Sequence, residues 1–124
     1  MLSAYLVVAH GSREPSSARD FFDFLDRLRP FCPGRAVRGA FLELSRPAVA
    51  EAIEGCISEG IRQIFVVPLM LFAGRHVRED IPRAIEEAKA KHPDVDFHYT
   101  GPLAEEPAVA KLLGEKIAAW KANS

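Results

Sequence analysis

Four short apolar runs, each followed by a stretch with helical spacing, alternate along the whole chain, and this alternation restricts the fold more than any other feature. Residues 4–9 (AYLVVA), 36–42 (AVRGAFL), 63–69 (QIFVVPL) and 96–100 (DFHYT) read as strands. The first is apolar without alternation, as in a strand covered on both faces. The second is weakened by Gly39. The third is the most β-branched, and Pro68 limits how far its ladder can run.

The intervening segments carry helix signals. Ser17 with Asp20 resembles a capping box, followed by Phe21, Phe22, Leu25 and Leu28 at helical spacing, and Pro30 with Pro33-Gly34 ends that helix. Ser45 is placed to cap a second helix with Pro47 in its first turn. Val49, Ile53, Cys56 and Ile57 form its buried stripe and Gly60 its end. A third helix runs from Val77 or Asp80 to Lys91, with Ile81, Ile85 and Ala88 inward and Pro82 confined to the first turn. Pro107 opens a fourth, whose apolar side is Val109, Leu112, Leu113, Ile117 and Trp120.

Helices of 10 to 15 residues between strands imply βαβ units. The expected fold is α/β: a flavodoxin-like, doubly wound sheet of about four parallel strands with helices on both faces. A chain of 124 residues amounts to one domain, 1–124, and can bury a core without disulfides.

Composition removes several function classes. A net charge of −1 gives no field for nucleic acid or an anionic membrane, so an anionic ligand must be held by local basic residues. Cys32 and Cys56 are far apart, with no CxxC zinc or redox pair, and this usage suits a reducing cytoplasm. No apolar run reaches the roughly 18 residues of a membrane span, and no signal peptide is apparent. The chain lacks GxGxxG, GxxxxGK[ST] and GxSxG, which leaves nucleotide phosphates without a cradle and Ser12 a poor hydrolase nucleophile.

Doubly wound sheets bind ligands at the carboxyl ends of their strands. Those ends here are His10-Gly11-Ser12-Arg13, then Glu43 with Ser45-Arg46, then Phe72-Ala73-Gly74-Arg75-His76, then Gly101-Pro102. Two of the four histidines, a glutamate and several arginines are thus expected on one edge. Neutral imidazole is the commonest protein ligand for borderline divalent metals and titrates near neutral pH. Taken singly, His10 is a turn histidine and His76 a polar helix start; expected together, they are a candidate metal pair. Glu43 interrupts an apolar run, so its carboxylate needs a partner, such as Arg46 or Arg75, or a chemical task. Arg13, Arg46, Arg75 and Arg78 can receive carboxylates in forked geometry. Glu79 and Asp80 read as ordinary helix-start acids, His92 as solvated and His98 as structural.

Three blocks of sequence resemble a known family. They are Val8-Ala9-His10-Gly11-Ser12-Arg13, Phe41-Leu42-Glu43-Leu44 with Pro47, and the run from Val66 to Val77 (VVPLMLFAGRHV) with Asp80-Ile81-Pro82. Together they are similar to the CbiX/SirB class II chelatases, in the small single-domain form. The resemblance implies the class II chelatase fold and ATP-independent insertion of a divalent metal into sirohydrochlorin. Co²⁺ is favoured, with Fe²⁺ or Ni²⁺ the other choices. It implies that His10 and His76 bind or guide the ion, with Glu43 as the acidic residue. Ser12, Arg13, Arg46, Gly74, Arg75 and Arg78 would meet the carboxylate-rich substrate. The metal is then substrate rather than a tightly bound cofactor, and the assembly a homodimer. The sequence departs from the family at Pro102-Leu103-Ala104-Glu105-Glu106-Pro107, where members often carry Gly and then His or Asp before a Pro. A non-catalytic metal or tetrapyrrole carrier would use the same two histidines.

Overall fold

A computed structural model describes residues 2–122, the side chains at 76, 121 and 122 excepted. Strand β1 (Ser3–Ala9) leads through helix α1 (Pro15–Leu28) to β2 (Ala36–Phe41). Helix α2 (Val49–Ser58) leads to β3 (Gln63–Pro68), and α3 (Arg75–Lys91) to β4 (Asp96–Tyr99). The last helix is α4 (Pro107–Ala122). All strand pairs are parallel and the order is β2-β1-β3-β4. The sequence therefore finds its expected α/β class and strand count, and the order reverses between β1 and β3.

The two faces of the sheet differ. On one, Ala4, Leu6, Val8, Ala40, Ile64 and Val66 are at most 1% exposed. They meet Ile53 and Cys56 of α2 and Val77, Ile81, Ile85 and Ala88 of α3 in one apolar cluster. On the other, α1 sets Phe21 and Leu25 against Val7, Val37 and Phe41. Gly39 explains itself here: a Cβ would stand 2.7 Å from the Phe21 ring and 2.9 Å from Leu25. The residue that weakens β2 as a strand is the one that lets α1 close on it.

Several helix signals resolve differently from expectation. Ser17 and Asp20 form no capping box, because α1 begins at Pro15 with Glu14 as N-cap. Proline's fixed φ suits the first helical position, two residues before Ser17. Ser45 does not cap α2 and Pro47 precedes that helix. Its N-cap is Ala48, whose amide donates to the Glu51 carboxylate at 3.1 Å. Helix α3 starts at Arg75, so Pro82 lies inside it rather than in its first turn. The missing amide costs one bond, to the carbonyl of Arg78, while burial of Val77 and Ile81 holds the helix on the sheet. Finally, the apolar side of α4 is not buried: Leu112, Leu113, Ile117 and Trp120 are 64%, 58%, 49% and 69% exposed.

Candidate active site at the strand order reversal

The loops after β1, β2 and β3 are fastened to one another by backbone. The amides of Leu42 and Glu43 donate to the carbonyls of Ala9 and His10 at 3.0 and 3.1 Å, so pairing continues past the end of β2. The amide of Leu69 donates to the Val8 carbonyl at 2.7 Å. His10 and Glu43 are therefore neighbours across the carboxyl edge, and both side chains are exposed.

Gly11 makes this closeness feasible. Its φ of +97° is in the left-handed region, and a Cβ would stand 1.7 Å from the Glu43 carbonyl oxygen. No other residue fits there without moving the Glu43 loop. Ser45 ties the loops a second time. Its hydroxyl donates to the Ser12 carbonyl at 3.1 Å and accepts the Ser12 amide at 3.4 Å. Leu44, between Glu43 and Ser45, has a φ of +65°, which costs a non-glycine residue about 1 kcal/mol. The bend is held by the Ser45 amide, which donates to the Glu43 carbonyl at 2.7 Å.

Helix α3 begins at this edge, with Gly74 as its N-cap. His76 is thus in the first turn; its side chain lies outside the described residues. Arg46 forks onto the Glu51 carboxylate, and Arg75 Nε donates to Glu79 at 3.1 Å. Neither arginine weighed as a partner for Glu43 is therefore paired with it, and among the described residues no ion pair holds Glu43. Arg75 is 91% exposed, so its pair is weak and leaves the guanidinium available to a ligand. Arg13 and Arg78 are exposed, and Ser12 is half-buried. His98 stays off the edge group, bonded to Asp96 at 3.0 Å, and His92 meets Glu54 at 2.9 Å. Among the described residues no three His, Cys, Asp or Glu side chains form a preassembled metal cluster.

Two features of the edge escape sequence reasoning. Tyr99 ends β4, and burial pushes its phenol above the usual range, the Glu105 charge adding to this and Arg78 opposing it. Its place after Phe97 at a strand end was the available signal. Leu44, Leu71 and Phe72 are 59%, 54% and 77% exposed around the same loops, an apolar rim that periodicity cannot reveal.

The fourth loop joins the edge through the Leu103 and Ala104 amides, which donate to Met70 and Leu71 at 2.8 and 2.9 Å. With the loop geometry in hand, comparison with known proteins is decisive. The CbiX family model matches residues 4–119. The chain belongs to the CbiX family.

Among CbiX-like relatives, the sirohydrochlorin cobaltochelatase of Sulfurisphaera tokodaii is 30% identical over 112 residues, covering 90% of this chain and 88% of that protein. The crystal structure of a CbiX protein assigned to cobalamin (vitamin B12) biosynthesis in Marinobacter aquaeolei VT8 is 26% identical. It superposes with a TM-score of 0.82 over 98% of this chain and 99% of that one. The sirohydrochlorin chelatase SirB of Bacillus subtilis subspecies spizizenii, solved with cobalt, is 32% identical with a TM-score of 0.76. The match covers 82% of this chain and 44% of SirB. Curated relatives include both sirohydrochlorin ferrochelatases and cobaltochelatases. This chain spans only 38–50% of the length of several of them.

Proposed function

We propose that residues 1–124 form a single chelatase domain that inserts a divalent metal ion into sirohydrochlorin, in the cytoplasm, as a homodimer, without ATP or a tightly bound cofactor. The metal is the second substrate; Co²⁺ is favoured, with Fe²⁺ or Ni²⁺ the other choices. The observation that carries this reading is the bonding of the His10 and Glu43 loops to each other at the strand order reversal, with the first turn of α3, and so His76, starting from the same edge.

The chemistry follows from the groups. Metallation exchanges two pyrrole N–H protons for a divalent cation. A site therefore needs a ligand that holds the ion and a base that accepts protons. One imidazole lone pair cannot do both at once. In this reading His10 and His76 hold the incoming ion over the ring, and Glu43 or a histidine takes up protons. An exposed carboxylate beside His10, held by no ion pair among the described residues, suits that task. Arg13, Arg46, Arg75 and Arg78, with Ser12 and the backbone at Gly74, receive the substrate's carboxylates. The apolar rim of Leu44, Leu71 and Phe72 offers a surface to the flat macrocycle.

The test is anaerobic incubation with sirohydrochlorin and Co²⁺, Fe²⁺ or Ni²⁺, following the absorbance change. His10→Ala, His76→Ala and Glu43→Gln run beside the parent. Catalysed metallation that both histidine substitutions abolish supports the reading, and the relative rates rank the metals. Binding of metal or tetrapyrrole with no rate above the uncatalysed background would replace the enzyme with a carrier.

A further inference from the structure

In sequence Asp80 reads as an ordinary helix-start acid, and the structure removes that explanation. Helix α3 begins at Arg75, so Asp80 is in its second turn, and the first turn holds no acid. The favourable effect of the helix dipole on an anion fades beyond the first turn. Glu79 has a task of its own, the pair with Arg75. Asp80 meets Arg83 at 3.4 Å, beyond the usual range of a strong hydrogen bond, and Arg83 is 63% exposed. A surface pair of this kind contributes little. Yet the Asp80 side chain is only 30% exposed, which is costly for a carboxylate without a task.

Its position relates it to the metal pair. Residues 76, 80 and 84 are four apart and form one row along α3. Asp80 and Ala84 line one wall of a groove of about 340 Å³, and Leu42 with the start of α2 lines the other. The row therefore follows the flank of α3 that faces α2 and the Leu42-Glu43 loop. Its next member toward the carboxyl edge is position 76. Side chains on a helix lean toward its N-terminus, so a carboxylate at position 80 is directed back toward position 76. The same spacing closes one residue earlier, where Arg75 Nε donates to Glu79 at 3.1 Å.

We propose that Asp80 is a positioning residue for metal insertion, its carboxylate accepting the N–H of the His76 imidazole. The proposal rests on the functional reading of His76 as a metal ligand. A neutral imidazole has one N–H and one lone pair, and a carboxylate on the N–H fixes which nitrogen keeps the proton. The other nitrogen then presents its lone pair in a fixed direction and with greater basicity toward a divalent cation. Asp80 itself touches neither the ion nor the macrocycle.

The tautomer of His76 is read from long-range proton–nitrogen correlation spectra of the metal-free protein with isotope-labelled histidine, its signals assigned by their loss in His76→Ala. Calorimetric titration with Co²⁺ alone, and KM for Co²⁺ and for sirohydrochlorin, are measured for the parent, Asp80→Ala, Asp80→Glu and Arg83→Ala. The parent should hold His76 in one tautomer and Asp80→Ala should show a mixture. Asp80→Ala should also weaken Co²⁺ binding and raise KM for Co²⁺ by about 10- to 100-fold, with KM for sirohydrochlorin unchanged. Asp80→Glu, which keeps the carboxylate, should recover most of the loss, and Arg83→Ala should match the parent. An Asp80→Ala chain that keeps one His76 tautomer and binds Co²⁺ as the parent does overturns the proposal. So does an Arg83→Ala chain that reproduces the Asp80→Ala loss, which would assign Asp80 to the surface pair. A parent that does not metallate sirohydrochlorin, while its His76 tautomer still depends on Asp80, removes the chelatase reading and leaves the pairing of Asp80 with His76 standing.

Discussion

The carbonyl oxygen of Glu43 stands 1.7 Å from where a β-carbon on Gly11 would be. The His-Gly-Ser turn and the glutamate loop are thus in backbone contact, and the relation between His10 and Glu43 depends on a missing side chain. Gly11→Ala must move one loop away from the other and also holds alanine at φ near +97°. Loss of roughly 2–3 kcal/mol of stability is expected. Misplacement of a catalytic group by about 1 Å can cost on the order of 100-fold in rate, so metallation should fall at least about tenfold. Thermal unfolding and initial rates, measured on the same preparation, check both; a variant with parental rate would remove the geometric link.

Ser45 separates positioning from stability. Its hydroxyl bonds both the amide and the carbonyl of Ser12, at a half-buried site. Ser45→Ala should cost about 1 kcal/mol or less and reduce kcat/KM several-fold. Ser45→Thr, which keeps the hydroxyl, should recover much of the loss. Equal rates in all three chains would mean that the loops hold without this tie.

Cys56 is buried against the sheet, and that burial pushes its thiol above its ordinary value of about 9. The unfolded chain then forms thiolate at lower pH than the folded one. Stability from this group is present below the unfolded value and declines as pH rises through the folded one. Chemical denaturation between pH 7 and 10 should show that decline, weakened in Cys56→Ala. In the native protein, alkylation at pH 8 should label Cys32, which is only half-buried, and spare Cys56. Rapid labelling of Cys56 would contradict its place in the core.

Gly39→Val tests the packing of α1. The new side chain meets the rings of Phe21 and Phe22 and the end of Leu25 within 3.0 Å. Overpacking of this kind costs about 1–3 kcal/mol. The midpoint of urea unfolding should drop while the active-edge loops, tied to the other strands, retain their metallation rate. A rate loss matching that of Gly11→Ala would show that α1 placement controls the edge.

Much of this was legible in the sequence for a physical reason. Strands such as residues 63–69 and the stripe Val49, Ile53, Cys56 bury side chains at fixed periods, and periods survive in a linear string. The grouping of His10, Glu43 and the residues up to His76 at one edge followed from topology. What failed was local competition. Ser17 looked like a cap, but Pro15 started the helix first. Ser45 looked like a cap and became a brace between loops, because Glu51 supplies the α2 cap from inside the helix. Pro82 looked like a first-turn residue, yet the burial of Val77 and Ile81 before it and Ile85 after it outweighs one lost bond. The α4 stripe was read correctly as apolar, but periodicity says only that a face seeks cover and not which molecule supplies it.

Among the described residues the interior contains no buried polar or charged side chain. The groups proposed for chemistry are on loops and helix starts, outside that interior. Selection can therefore rewrite the edge with little penalty to folding. A scaffold of this kind has evolutionary latitude: a change in ion preference would need new loop residues and no new core. Relatives named for iron and for cobalt within one family are the outcome such a division of labour would produce.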